Sequence, residues 1–178
     1  MDPITRQGIS VAGGAAAGEA TYVDDVFSTY LYDGTGSTQS IDNGIDLSGE
    51  GGFVWIKRRT AGNHQLYDTT RGATKSVNSN DSSPETTRSG GLTSFNSNGF
   101  TIGDFTDENA SGQEACSWTF RKAPGFFDVV TWSGNSATGR QISHNLGSKP
   151  GMILIKIIIV LMIGLFIINQ KAHLSTDN

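Results

Sequence analysis

The stretch Ser94-Phe95-Asn96-Ser97-Asn98-Gly99-Phe100-Thr101-Ile102 sets an Asn-Gly pair between two short apolar flanks. Asn and Gly tolerate the positive φ that a tight turn demands, so the stretch predicts a β-hairpin. Outward from it the same grammar recurs. Val26-Phe27-Ser28-Thr29-Tyr30-Leu31-Tyr32 has strand composition and ends at the turn signal Asp33-Gly34-Thr35-Gly36. Gly52-Phe53-Val54-Trp55-Ile56-Lys57, Gln65-Leu66-Tyr67-Asp68 and the residues around Trp118 read as further strands. So does Phe126-Phe127-Asp128-Val129-Val130-Thr131-Trp132, after a break at Pro124-Gly125. Residues 78–91 are polar and predict a long surface loop.

Composition agrees. Of 178 residues, 23 are Gly and only 36% are hydrophobic. Such a chain favours short strands joined by many turns over helices. Net charge is −4 and no basic stripe occurs, which removes the electrostatic basis for nucleic-acid binding. Cys116 is the single cysteine, so no internal disulfide can form. It shares a strand face with Trp118 and Phe120 and reads as a small buried hydrophobe. The start of the chain, polar and then Gly/Ala-rich, carries no signal-peptide pattern and reads as a linker or arm over residues 1–23.

The beginning and the end of the chain match each other. Residues 31–57 run from Leu31-Tyr32-Asp33-Gly34 through Ile41 and Leu47 to Gly52-Phe53-Val54-Trp55-Ile56-Lys57. Residues 131–156 run from Thr131-Trp132-Ser133-Gly134 through Ile142 and Leu146 to Gly151-Met152-Ile153-Leu154-Ile155-Lys156. Gly34 aligns with Gly134 and Lys57 with Lys156, a tandem repeat with a period of about one hundred residues. The expected organisation is a β-sandwich repeat at 24–123, the start of a second repeat at 124–156, and a tail at 157–178.

That tail changes character to Ile157-Ile158-Ile159-Val160-Leu161-Met162-Ile163-Gly164-Leu165-Phe166-Ile167-Ile168. One reading is a membrane segment over residues 152–168, which reaches the length of a helical span, roughly 17–25 residues, only by including Lys156. The other is a shifted reading frame. Read one base earlier from Lys156, with suitable synonymous codons, the tail spells Val-Tyr where the first unit has Leu66-Tyr67. It then spells Lys-Gly-Ala where the first unit has Arg71-Gly72-Ala73. The frameshift is the preferred expectation.

The motifs Ile45 to Lys57, Ser94 to Gly103, Ser117-Trp118-Thr119-Phe120-Arg121-Lys122-Ala123-Pro124, Asp128 to Asn135 and Ser143-His144-Asn145-Leu146-Gly147-Ser148-Lys149-Pro150 follow in one order. Over residues 24–156 they resemble a repeated domain of unassigned function found in tail-fibre and other virion proteins of marine bacteriophages. The resemblance implies a β-rich virion component, often in tandem copies, and supplies no catalytic residues.

Candidate chemistry is sparse. Asp107-Glu108-Asn109-Ala110-Ser111-Gly112 has the opening spacing of a calcium loop, with Asp107, Asn109 and Ser111 as oxygen ligands. The twelfth position is Trp118 rather than Glu, so a polar turn between strands is the better reading. Asp33-Gly34-Thr35-Gly36-Ser37-Thr38 lacks the Lys-Ser/Thr ending of a phosphate loop and reads as a turn. His64 and His144 have no nucleophile-elbow partner. Trp55, Trp118 and Trp132 could form a sugar-stacking face, with Trp55 and Trp132 as the ligand candidates, although strand aromatics are usually core. Lys57-Arg58-Arg59 reads as a solvated strand end.

The expectation is therefore an all-β, antiparallel β-sandwich of jelly-roll or lectin-like type, without enzyme activity or cofactor. It would serve as a structural or adhesive module of a phage tail fibre, located in the virion tail. Its expected partners are other virion proteins, a homotrimer of itself, and a host-surface glycan or receptor. A carbohydrate-binding lectin-like domain is the alternative, and a membrane-anchored protein the third reading.

Overall fold

A computed structural model describes residues 8–9, 21–159 and 162–168. The first strands, β1 (Gly8–Ile9) and β2 (Thr21–Tyr22), pair antiparallel. Most of the arm expected at residues 1–23 and the last part of the tail lie outside the described residues. A single helical turn, α1 (Val23–Val26), leads into β3 (Phe27–Asp33) and β4 (Gln39–Asp42). Then come β5 (Gly52–Arg58), β6 (Gln65–Asp68), β7 (Lys75–Asn78), β8 (Thr86–Thr87), β9 (Leu92–Asn96) and β10 (Gly99–Ile102). A second helical turn, α2 (Thr106–Asn109), precedes β11 (Glu114–Arg121) and β12 (Phe127–Ser133). The apolar run supplies β13 (Met152–Ile159) and β14 (Met162–Ile168).

These strands make an all-β, antiparallel, sandwich-like fold. Its spine is a six-stranded sheet in the order β3-β11-β5-β6-β7-β8. One face of the spine carries Val54, Ile56, Tyr67, Ala115 and Tyr32, and the three-stranded sheet β4-β10-β9 covers it with Ile41, Phe100, Ile102 and Leu92. The other face carries Phe53, Leu66 and Val77, with Phe27, Trp55 and Phe120 packed alongside. Phe127, Val129, Leu154 and Ile158 close over it from the second three-stranded sheet, β12-β14-β13, together with Ala123 and Phe126 of the turn before β12. A strand buried on both faces reads as a continuous apolar run, which is why Phe53-Val54-Trp55-Ile56 does not alternate. Each fully buried Leu, Ile or Phe contributes roughly 1.5–3 kcal/mol of transfer free energy, so both faces matter to stability.

The expected hairpin forms, with a shifted turn. Asn96 pairs with Gly99, so the turn is centred on Ser97-Asn98 and the positive φ, +129°, falls on Gly99. A Cβ on Gly99 would lie 2.0 Å from the Ile41 carbonyl oxygen of β4. That glycine serves the close approach of two strands as much as the turn.

Two expectations need correction. Residues 78–91 are not simply a loop, because β8 pairs with β7 and the Glu85 amide donates to the Ile158 carbonyl. Cys116 is half-buried rather than core. It lies on the outer face of the spine beyond the reach of the second sheet, beside Leu31, which is 69% exposed. The apolar run forms strands, and no helix among the described residues is long and apolar enough to cross a membrane.

Two of the sheets share one strand register. β11 fills a slot between β3 and β5 and sets Ser28 beside Val54, Tyr30 beside Ile56 and Tyr32 beside Arg58. β14 fills a slot between β12 and β13 and sets Asp128 beside Ile153, Val130 beside Ile155 and Trp132 beside Ile157. Aligning Gly34 with Gly134 and Lys57 with Lys156 maps the first set onto the second, position for position.

Candidate functional site

Two glycine-bearing segments cross where the loop after β8 meets the loop after β10. The Gly103 amide donates to the Gly91 carbonyl at 2.9 Å and the Phe105 amide to the Gly90 carbonyl at 2.8 Å. The crossing requires glycine at Gly103, where a Cβ would meet the Gly90 carbonyl oxygen at 2.7 Å and the Gly90 Cα at 2.9 Å, and a Cβ on Gly91 would meet the buried Tyr67 hydroxyl at 2.2 Å. The crossing leaves an open pocket of about 340 Å³ bounded by Thr87, Arg88, Ser89, Asp104, Phe105 and Thr106. The Arg88 guanidinium lies 4.4 Å above the Phe105 ring. Stacking of this kind orients the cation. Arg88 Nε is buried without a hydrogen-bond partner.

Beneath this pocket lies Glu108, from the α2 turn and 1% exposed. The Tyr67 hydroxyl donates to its Oε1, and the Tyr32 hydroxyl donates to its backbone carbonyl at 3.0 Å. Oε2 has no partner. Burial pushes the Glu108 carboxyl up to about 8, against the opposing effects of the Tyr67 hydrogen bond and of Arg88. Burial also raises both phenols, with the Glu108 charge adding to it. The carboxyl is thus largely protonated near neutrality. A carboxylic acid sealed under two tyrosines is a polar brace within the core, closed to substrate.

The calcium-loop candidates do not assemble as ligands. Asn109 Oδ1 accepts from the Thr35 amide at 2.8 Å and from Gln39 Nε2 at 2.7 Å, and Nδ2 donates to the Ser37 and Gly103 carbonyls, each at 2.6 Å. Its amide has no capacity left for a cation. Asp107 accepts from Gln65 Nε2 at 3.3 Å, and Ser111 is exposed against Gly36. The stretch is a helical turn with two buried side chains, where a polar turn was expected. Asn109 pins the Asp33–Thr38 bend, whose Gly34 could carry no Cβ because the Ala110 carbonyl would lie 2.2 Å away. No group of three or more His, Cys, Asp or Glu side chains among the described residues could hold a metal ion.

The tryptophans do not form one face. Trp55 stands edge-on to Trp118 at 5.9 Å and lies 6.0 Å from the His64 ring, half-buried against the second sheet. Its Nε1 is buried without a partner. Trp132 belongs to a separate cluster with Leu146 and Ile142. His144 only accepts the Leu146 amide within its own turn, at 3.3 Å. Arg58 and Arg59 are tied down, by bonds to the Ala61 and Thr106 carbonyls and by an ion pair with Glu114.

Sequence reasoning missed the Arg88–Phe105 pocket and Glu108. The available signal was the pair Gly90-Gly91 facing Gly103, three glycines where two segments must cross closely.

The fold and the site together define a β-sandwich module whose polar groups serve the framework. The chain belongs to a family of domains of unknown function, DUF7483, whose model matches residues 23–162. No curated protein and no solved structure matches the chain.

Proposed function

We propose that the chain is a non-catalytic structural or adhesive module of a phage tail fibre or other virion protein, built from tandem units. The observation that carries the reading is the repeated register: two strand pairs, β3/β5 and β12/β13, hold a central strand in the same alignment. Back-to-back units of one design suit a spacer or a fibre that displays loops from rigid sheets. Its partners are other virion proteins, with a homotrimer as the assembly. Immunogold labelling of virions with an antibody to the full chain tests the proposal. Label along the tail supports it. A protein found only in the host fraction, with bare virions, overturns it.

The pocket beside Phe105 supports a second reading, a lectin-like module at the host surface. Asp104, Ser89 and Thr106 offer polar groups around an aromatic ring, as sugar sites do. A glycan array probed with the full chain, and with Asp104→Ala, separates the two. Glycan binding lost in the variant supports the lectin reading, and a blank array removes it.

A further inference from the structure

The second sheet exposes an apolar row on β13. Ile153, Ile155 and Ile157 of β13 are 54%, 58% and 56% exposed. By register they lie on the same side of the sheet as Val130 and Trp132 of β12. The opposite side, with Phe127, Val129 and Leu154, is the one packed on the spine.

The first unit says what such a face is for. Under the repeat alignment Ile153 and Ile155 correspond to Val54 and Ile56, and both of those are fully buried. Their cover is the sheet β4-β10-β9, which lays Ile41, Leu92, Phe100 and Ile102 over them. Trp132, Ile142 and Leu146 begin the same arrangement in the second unit, standing where Tyr32, Ile41 and Leu47 stand in the first. The second unit thus has its sheet, its turn cluster and the apolar floor of a sandwich core, and the roof is not supplied by the described residues.

We propose that the face of Ile153, Ile155 and Ile157 is a docking site for a β-hairpin with the apolar pattern of Leu92 to Ile102. That hairpin would come from a polypeptide carrying the remaining strands of a family repeat. The inference deepens the tandem-module reading and rests on it. Sheets stack face to face about 10 Å apart with interdigitating side chains, and the face of Val54 and Ile56 is covered by a sheet, so a hairpin of this pattern fits the equivalent face here.

The test uses the full chain, alone and carrying after Asn178 a flexible Gly/Ser linker and a copy of residues 90–104. The linker raises the effective concentration of the hairpin to the millimolar range. Three readouts apply: binding of an apolar fluorescent dye, amide-exchange protection, and oligomeric state by light scattering. Docking predicts that the tethered chain loses most of its dye signal and stays monomeric. It also predicts that Ile155→Lys restores the signal in the tethered chain. Unchanged dye binding on tethering overturns the proposal. So does an untethered chain that is already a dimer broken by Ile155→Lys, because a second copy then covers the face. Binding of the untethered chain to phosphatidylcholine vesicles, abolished by Ile155→Lys, overturns it in favour of a lipid surface. Failure of the tandem reading is distinguishable: residues 127–133 and 152–159 would then exchange freely in both chains.

Discussion

The hydroxyl of Tyr67 donates to the carboxyl of Glu108 in the interior of the first unit, while the second carboxyl oxygen is left without a partner. A phenol and a carboxylic acid are compatible with burial only while the acid keeps its proton.

The first prediction follows from that proton. The folded-state value of Glu108, about 8, stands above its ordinary 4.5. Between those values the folded chain binds more protons than the unfolded chain, so stability falls as pH rises through this window. The contribution is fully present below about pH 4.5 and lost above about pH 8. Thermal melts from pH 5 to 9 should show Tm declining, and Glu108→Gln should flatten the decline. An equal slope in both chains would refute the assignment.

Arg71 is a buried cation. Its Nε lies 2.5 Å from Asp68 Oδ2 and its Nη1 3.3 Å from Glu85 Oε2, with the Asp68 side chain fully enclosed. Arg71→Met strands the Asp68 carboxylate in the interior and should cost about 3–5 kcal/mol in urea unfolding. Arg71→Lys keeps the charge but loses the fork that also reaches the Leu66 carbonyl, so its cost should be smaller.

Gly99 and Gly44 separate two reasons for glycine. Both have positive φ, but a side chain at Gly44 meets nothing within 4 Å, whereas one at Gly99 meets the Ile41 carbonyl. Gly44→Ala should cost about 1–2 kcal/mol, the conformational strain alone. Gly99→Ala should cost clearly more and weaken amide protection in β4 and β10. Equal costs would mean that the strand approach relaxes easily.

A chain ending at Ala123 keeps the spine and the β4-β10-β9 sheet but uncovers Phe53, Trp55 and Phe120. It should retain its β-sheet circular dichroism, bind an apolar dye strongly and melt below the full chain. A chain of that length with no cooperative melt would show that the second sheet is required for folding.

Sequencing the coding DNA through codon 156 and beyond tests the tail. The shifted-frame proposal expects the second repeat to continue in the neighbouring frame. A closed frame there would leave the tail as a genuine part of the design.

Much of the framework was legible in the sequence because β-branched and aromatic runs bounded by Gly and Asp have few other uses. Val26 to Tyr32, Gly52 to Lys57 and Gln65 to Asp68 all lie in or against strands. β7, Lys75-Ser76-Val77-Asn78, was invisible because one apolar residue in four carries no period. Its burial is set by β6, not by its own composition. Glu108 and Asn109 were misread for a related reason. Acidic and amide residues belong on the surface by default, and only the long-range approach of Tyr32, Tyr67 and Thr35 makes their burial tolerable. The shared register of the two sheets was legible, since Gly34 and Gly134, and Lys57 and Lys156, sit at matching strand positions.

The way β14 enters its slot sets an order of events in folding. β11 reaches the slot between β3 and β5 only after β6 to β10 have been threaded, at high contact order. β14 reaches its slot across two residues from β13, and hairpins of that kind close in about 1–10 μs. Loop-closure entropy favours the near strand as well. The tail therefore seats early, in the kind of slot that the spine fills late with β11.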